Sequence, residues 1–307
     1  GTPIPDKAIK SLNDAGVDVV VFNGVIADPP VDVVDAGGDL AKREGVDCLI
    51  GVGGGSSMDT AKAIAILMQN PGKAKDYILA KPEYYDTKTP VILVPTTAGT
   101  GSEVTAVCII SRPELGAKWS AFVNTNFAIV DPELTLSLPK RETAHTGLDA
   151  LAHAMEAMTS LDWNPHSDVV GEAAIRKIAK YLIKAYNEPD NIEARSEMML
   201  AANLAGLAFN NPLTHVGHAA ADALSGHFHT AHGYGCGICL PAAMRISAPA
   251  VPEKMRVIAD AMGIPLKGSE TGEQLGNLVA DKILEMMRAL NVKSLKEMGY
   301  KREDVLS

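Results

Sequence analysis

The sequence predicts an α/β protein in which a doubly wound parallel sheet over residues 1–140 is followed by an all-helical half, residues 141–307. Three observations carry this expectation. Short β-rich runs alternate with longer helical patterns through the first 140 residues, two of those runs open into glycine-rich turns, and beyond Leu138-Pro139 the composition shifts to alanine, leucine and methionine. Apolar runs separated by helical stretches are the pattern of buried strands in βαβ units.

Taken in order, residues 17–22 (VDVVVF) read as a first strand and residues 31–44 as a helix. Residues 48–52 form a second strand, closed by the turn Gly51-Val52-Gly53-Gly54-Gly55-Ser56-Ser57-Met58-Asp59, which opens a helix over residues 60–68. Residues 91–94 form a third strand and run into Pro95-Thr96-Thr97-Ala98-Gly99-Thr100-Gly101-Ser102-Glu103; residues 127–130 form a fourth. Pro139 marks the domain boundary, and residues 142–208 carry helical spacing throughout. Ser225-Gly226 reads as a helix end before a loop.

Both glycine-rich turns suit a phosphate-bearing ligand. Glycines admit a phosphate close to the backbone, and the helix amino terminus that follows offers unpaired N–H groups and a partial positive charge. The four hydroxyls of the second turn can both donate to and accept from ribose and phosphate oxygens. In such sheets ligands bind beyond the carboxyl ends of the strands.

A second chemistry is written in the helical half. Asp149 and His153, four residues apart in GLDALAHAMEA, project from one helix face and so could share an ion. Five histidines, at 215, 218, 227, 229 and 232, follow in a short segment, and composition alone does not choose ligands among them. One carboxylate with imidazoles suits a divalent transition ion such as iron or zinc.

Composition narrows the remaining classes. A net charge of −9 and a pI of 5.4 argue against nucleic-acid or anionic-membrane surfaces and leave small molecules as partners. No apolar run approaches the ~20 residues of a membrane span, and GTPIPDKAIK lacks the apolar core of a signal peptide, so a cytoplasmic address is expected. The four cysteines are too scattered for a disulfide framework. Cys236 and Cys239 form a C-x-x-C without the second pair of a structural zinc site, and read as two ordinary thiols.

GGGSSMDTAKA at 53–63, PTTAGTGSEVT at 95–105, DPELTLSLP at 131–139, GLDALAHAMEA at 147–157 and the histidine segment ending His232-Gly233 together resemble the iron-dependent (group III) alcohol dehydrogenase family, over roughly residues 5–300. The resemblance implies a Rossmann-like dinucleotide-binding domain and a helical domain binding metal and substrate. Fe2+, or Zn2+, would be held by Asp149, His153, His218 and His232. Gly54, Gly55 and Ser56 would hold the pyrophosphate of NAD or NADP; Asp59, Thr96, Thr97 and Ser102 would line the rest of the groove, and Lys118 would reach the nicotinamide ribose. It implies hydride transfer between a small primary alcohol or its aldehyde and that cofactor, in a homo-oligomer, a dimer or larger.

The chain departs from the family pattern in three places. Many members carry a second histidine four residues after the third ligand, where this chain has Asp222. Its carboxylate could receive the alcohol proton or orient His218, although an ordinary pKa of about 3.9 makes it a weaker base near neutrality unless burial raises it. The sequence also begins after the family's first βα unit, whose loop commonly decides between NAD and NADP, and stops at Ser307 before the expected last helices. A zinc-dependent polyol dehydrogenase or a dehydroquinate synthase-like lyase shares this two-domain plan, and a catalytically silent metal-binding relative is the remaining alternative.

Overall fold

A short parallel sheet in the first half and a helix buried from Gly147 to Thr159 in the second organise the computed structural model, which describes residues 4–303. The readings made on Gly1 to Pro3 and on the end at Ser307 lie outside those residues. The chain divides into two compact units: one runs to Thr96 and resumes over Ser102–Ser137, and the other comprises Thr97–Gly101 and the chain from Leu138 onward.

In the first unit the helices are α1 (Ile4–Asp14), α2 (Val31–Arg43) and α3 (Gly55–Gln69); the strands are β1 (Leu49–Gly53), β2 (Tyr84–Tyr85), β3 (Val91–Pro95), β4 (Val107–Arg112), β5 (Ala117–Val123) and β6 (Phe127–Ala128). β1, β3 and β6 form a parallel sheet in which Leu49 pairs with Val91 and Leu93 with Ala128. α3 packs its apolar residues into two clusters: Ala63, Ile64, Ile66 and Leu67 with Val34, Ile110 and Val123, and Met58, Ala61 and Ala65 with Val91 and Leu93. Each fully buried Leu or Ile side chain stabilises by roughly 1.5–3 kcal/mol.

Residues 17–22 correct the expectation of a strand: they join neither sheet, and Val17, Val20 and Val21 are exposed. β-branched residues favour extended backbone, but a strand needs a hydrogen-bonded neighbour. The sequence reading also missed a second sheet of order β2-β5-β4, built on the antiparallel pairing of β4 and β5, from Val107 opposite Phe122 to Arg112 opposite Ala117.

The second unit is helical: α4 (Lys140–Thr159), α5 (Pro165–Asn187), α6 (Ile192–Phe209), α7 (Val216–Phe228), α8 (His232–Ser247), α9 (Pro252–Ala261) and α10 (Gly272–Ala289). Side-chain caps define several starts. Asn164 accepts from the N–H groups of His166 and Ser167 with Pro165 in the first turn, Asn191 accepts from Ala194, and Thr271 forms a reciprocal cap with Gln274. Helix α7 runs two residues past the expected Ser225-Gly226 end and closes on His229 in the left-handed conformation, whose N–H reaches Ser225 O. α4 is the core of this unit, buried without interruption from Gly147 to Thr159. No helix among the described residues is long and apolar enough to cross a membrane.

Candidate metal centre

A helix buried on all sides must satisfy whatever polar groups it carries, because an uncompensated buried charge is costly. α4 carries three on one face: Asp149, His153 and Glu156 at i, i+4 and i+7. The two neighbouring helices bring the rest. α7 presents His218 near its start, and α8 begins at His232.

Two glycines allow this assembly. A Cβ on Gly233 would lie 2.5 Å from His145 O, so only glycine lets the first turn of α8 approach α4 this closely, and a Cβ on Gly217 would overlap Glu156 Oε1. Glu156, fully buried, is thereby admitted to the amino terminus of α7, where it accepts from the N–H groups of His215 (2.7 Å) and His218 (3.2 Å). Its Oε2 lies 3.1 Å from His218 Nδ1. Burial alone would raise the Glu156 pKa, but these donors, the His218 imidazole foremost, outweigh it and hold the carboxyl below its usual range. The contact fixes the His218 tautomer: Nδ1 donates to Glu156, leaving Nε2 with its lone pair directed elsewhere.

That lone pair meets Asp149. Around Asp149 Oδ1 stand His232 Nε2 at 3.6 Å, His218 Nε2 at 3.7 Å and His153 Nδ1 at 4.0 Å. Asp149, His153 and His218 are only 2, 5 and 7% exposed, yet Asp149 Oδ1, His153 Nδ1 and His218 Nε2 have no hydrogen-bond partner. Ligand atoms about 2.0–2.2 Å from a tetrahedral ion lie roughly 3.3–3.6 Å apart, so His232 Nε2 and His218 Nε2 already stand close to ligand spacing from Asp149 Oδ1, and His153 Nδ1 stands a few tenths of an ångström farther off. Burial pushes the His153 pKa down to about 3, which keeps the imidazole in the neutral form a metal requires. The donor set fits a divalent transition ion.

His215 is occupied elsewhere, its Nε2 2.8 Å from Thr159 Oγ1. Asp222 lies half-exposed on α7 with Oδ1 3.4 Å from His232 Nδ1. The idea that Asp222 orients His218 is therefore corrected: Glu156 holds His218, and Asp222 faces His232. Sequence reasoning missed Glu156, although its place three residues after His153 on the same helix face was a usable signal. It also missed Cys236, whose Sγ lies 3.5 Å from His232 Nε2 and within 4.8 Å of donor atoms of Asp149 and His218.

In the first unit, Gly54 precedes α3 in extended conformation with no side-chain cap, and Gly55 and Ser56 open the helix. Asp59 and Ser102 are tied to each other, Ser102 Oγ donating to Asp59 Oδ1 at 2.6 Å while the Ile109 N–H donates to Oδ2 at 3.0 Å. The fully buried Lys62 joins them, with Nζ 2.9 Å from both Ser102 Oγ and Val107 O and 3.7 Å from Asp59 Oδ1. Thr96 donates its N–H to Gly53 O, and Lys118 pairs with Asp28 at 2.7 Å. In the second unit, Thr97 Oγ1 is buried with no hydrogen-bond partner.

The sequence matches two family models: that of iron-containing alcohol dehydrogenase over residues 2–132 and that of the carboxyl-terminal domain of Fe-containing alcohol dehydrogenase over residues 143–307. The chain belongs to the iron-containing alcohol dehydrogenase family. The chain is 38% identical over 301 residues to choline dehydrogenase of Bacillus subtilis (strain 168), covering 96% of this chain and 75% of that one. It superposes on the crystal structure of 1,3-propanediol oxidoreductase with a TM-score of 0.90 at 34% identity, covering 97% of this chain and 79% of the other. On sulfoacetaldehyde reductase from Bifidobacterium kashiwanohense, solved with NAD+, the TM-score is 0.87 at 32% identity, with coverage of 98% and 79%. As a member of the family it is a metal-dependent oxidoreductase of alcohols and aldehydes, and the matches lend no support to the lyase or polyol dehydrogenase alternatives.

Proposed function

We propose that the chain transfers a hydride reversibly between a small primary alcohol, or its aldehyde, and NAD or NADP. Asp149, His153, His218 and His232 would hold Fe2+, or Zn2+, in the helical unit. The observation that carries this is the cluster of buried, unpartnered donor atoms around Asp149 Oδ1. The named relatives act on choline, 1,3-propanediol and sulfoacetaldehyde, each a small primary alcohol or aldehyde, and one was solved with NAD+, which supports both the substrate class and the cofactor.

A divalent ion in this centre supplies Lewis-acid chemistry to the substrate oxygen. The chain's own residues do the rest. Glu156 keeps a proton on His218 Nδ1, and Asp222 keeps one on His232 Nδ1, so both rings present Nε2 towards Asp149. Asp222, half open to solvent, receives the alcohol proton and passes it out. Burial of Asp149 and His153 on α4 excludes water from the donors. The backbone N–H groups at Gly54, Gly55 and Ser56 bind the cofactor pyrophosphate at the start of α3. Thr96 and Lys118 hold its ribose and phosphate oxygens, while the bond from Ser102 to Asp59 holds Ser102 against α3. A homo-oligomer is the state the family resemblance implies, and a cytoplasmic setting is the one we assign.

Anaerobic assay with Fe(II) or Zn(II), NADH or NADPH, and a series of short aldehydes tests the reading. Cofactor oxidation that depends on aldehyde, and that disappears in a folded Asp149→Asn variant, is the expected result. An ion bound at stoichiometry with no turnover on any aldehyde or alcohol would overturn it in favour of a silent relative.

A further inference from the structure

We propose that Asp28 is a positioning residue for the cofactor, its carboxylate holding the Lys118 ammonium ready for the ribose. The inference rests on the reading that Lys118 contacts that ribose, and adds a residue that no sequence motif singled out. Lys118 Nζ lies 2.7 Å from Asp28 Oδ1, across 90 residues of sequence. The lysine side chain is only 15% exposed, although lysine is ordinarily a surface residue, while the aspartate is half open to solvent.

The backbone accounts for the meeting. Asp28 is left-handed, with φ 52°, a conformation that aspartate and asparagine tolerate better than other residues with a side chain. Pro29 and Pro30 follow, their φ set by the ring, and dock on β4: Pro29 O accepts from the Ser111 N–H at 2.9 Å, and Pro30 bridges Ser111 in parallel. Ser111 stands directly opposite Lys118 in the β4/β5 ladder, and opposite residues share a face. Turn and hairpin together therefore bring carboxylate and ammonium side by side within the first unit. As a contribution to stability, an ion pair with one half-exposed partner counts for little. Its weight lies in binding. Lysine is rotamer-rich, and freezing such a side chain as a ligand binds costs affinity that a prior hold avoids, a factor of about 2–10 in dissociation constant. An ammonium carries three N–H donors and the carboxylate takes one, so a neutral ribose hydroxyl can accept from the lysine without displacing Asp28.

A double-mutant cycle on NADH and NADPH binding to the metal-loaded protein, followed by nicotinamide fluorescence, tests the proposal. Asp28→Asn keeps the side-chain length and the tolerance of left-handed backbone but removes the charge, and should bind the wild type's preferred cofactor about 2–10-fold more weakly. Lys118→Met should weaken binding at least as much. Adding Asp28→Asn to Lys118→Met should then change nothing further, an outcome that a merely structural role for Asp28 would not give. Lys118→Gln serves in the cycle if Lys118→Met does not fold. Unchanged or tighter binding by Asp28→Asn, or the same loss with and without the lysine, would overturn the proposal and leave Lys118 as a cofactor contact. Binding by Lys118→Met equal to that of the wild type, or none by the wild type, would remove the reading of Lys118 and the role of Asp28 with it.

Discussion

Glu156 never needs to touch an ion to matter for one. It is fully buried, it takes both His215 and His218 amides, and it fixes the proton on His218 Nδ1. Glu156→Gln keeps the volume but removes the charge and can present an amide N–H to the ring, so zinc affinity should fall about 10–100-fold in a competition titration with a chromophoric chelator. Unchanged affinity would show that His218 keeps its orientation without help. Asp149 and His153 were legible in the sequence as a pair because a carboxylate and an imidazole at i and i+4 of an apolar helix share one face. Glu156 was not, because a glutamate on a helix ordinarily faces solvent, and only the packing of α7 reveals that this one is in the core. Cys236 has the same i, i+4 relation to His232, but its partner Cys239 drew it into a different pattern.

Elements meet at this centre only as closely as their glycines allow. Gly217→Ala would drive a methyl group into Oε1 of the Glu156 carboxylate, which accepts from the His218 N–H at Oε1 and from the His215 N–H and His218 Nδ1 at Oε2 and has nowhere to go. The expected cost is about 1–3 kcal/mol by denaturant unfolding, with metal affinity reduced alongside it. A loss in stability with metal affinity intact would separate α7 packing from the centre. In the first unit, α3 is locked to β4 by Lys62, through Ser102 Oγ and Val107 O. Lys62→Met leaves Asp59 buried without its cation, so destabilisation of about 3–5 kcal/mol is expected. Burial depresses the Lys62 pKa, with Asp59 opposing. The folded protein therefore sheds this proton before the unfolded chain does, and the stability of wild type relative to Lys62→Met should rise with pH between the depressed value and about 10.4. A flat difference over that range would contradict a lowered Lys62 pKa in the folded protein.

Some elements could be read from the chain and some could not, for reasons visible in their packing. Residues 48–52 and 91–94 declared themselves through apolar runs closed by glycine-rich turns, and they pair in parallel as β1 and β3. Residues 17–22 have the same local preference, but a strand is a property of two chains side by side, and they have no ladder partner in either sheet. The β4/β5 hairpin escaped notice because Arg112, Glu114 and Lys118 interrupt its apolar pattern, and its register is set by pairing across the sheet.

At the scale of the whole molecule, binding of an ion to the folded state alone must stabilise it. Zinc at 100 times its dissociation constant should add about 2.7 kcal/mol, seen as a rise in melting temperature that a chelator reverses. Asp149→Asn should show neither the rise nor the reversal; an equal rise in the variant would place the stabilising ion outside this centre. The most direct test is anomalous diffraction from crystals grown with zinc, recorded on either side of its absorption edge. One peak about 2.0–2.2 Å from Asp149 Oδ1 and from Nε2 of His218 and His232 is the predicted result. No peak among these side chains, in crystals where zinc is bound elsewhere at full occupancy, would contradict a metal-dependent dehydrogenase built on them.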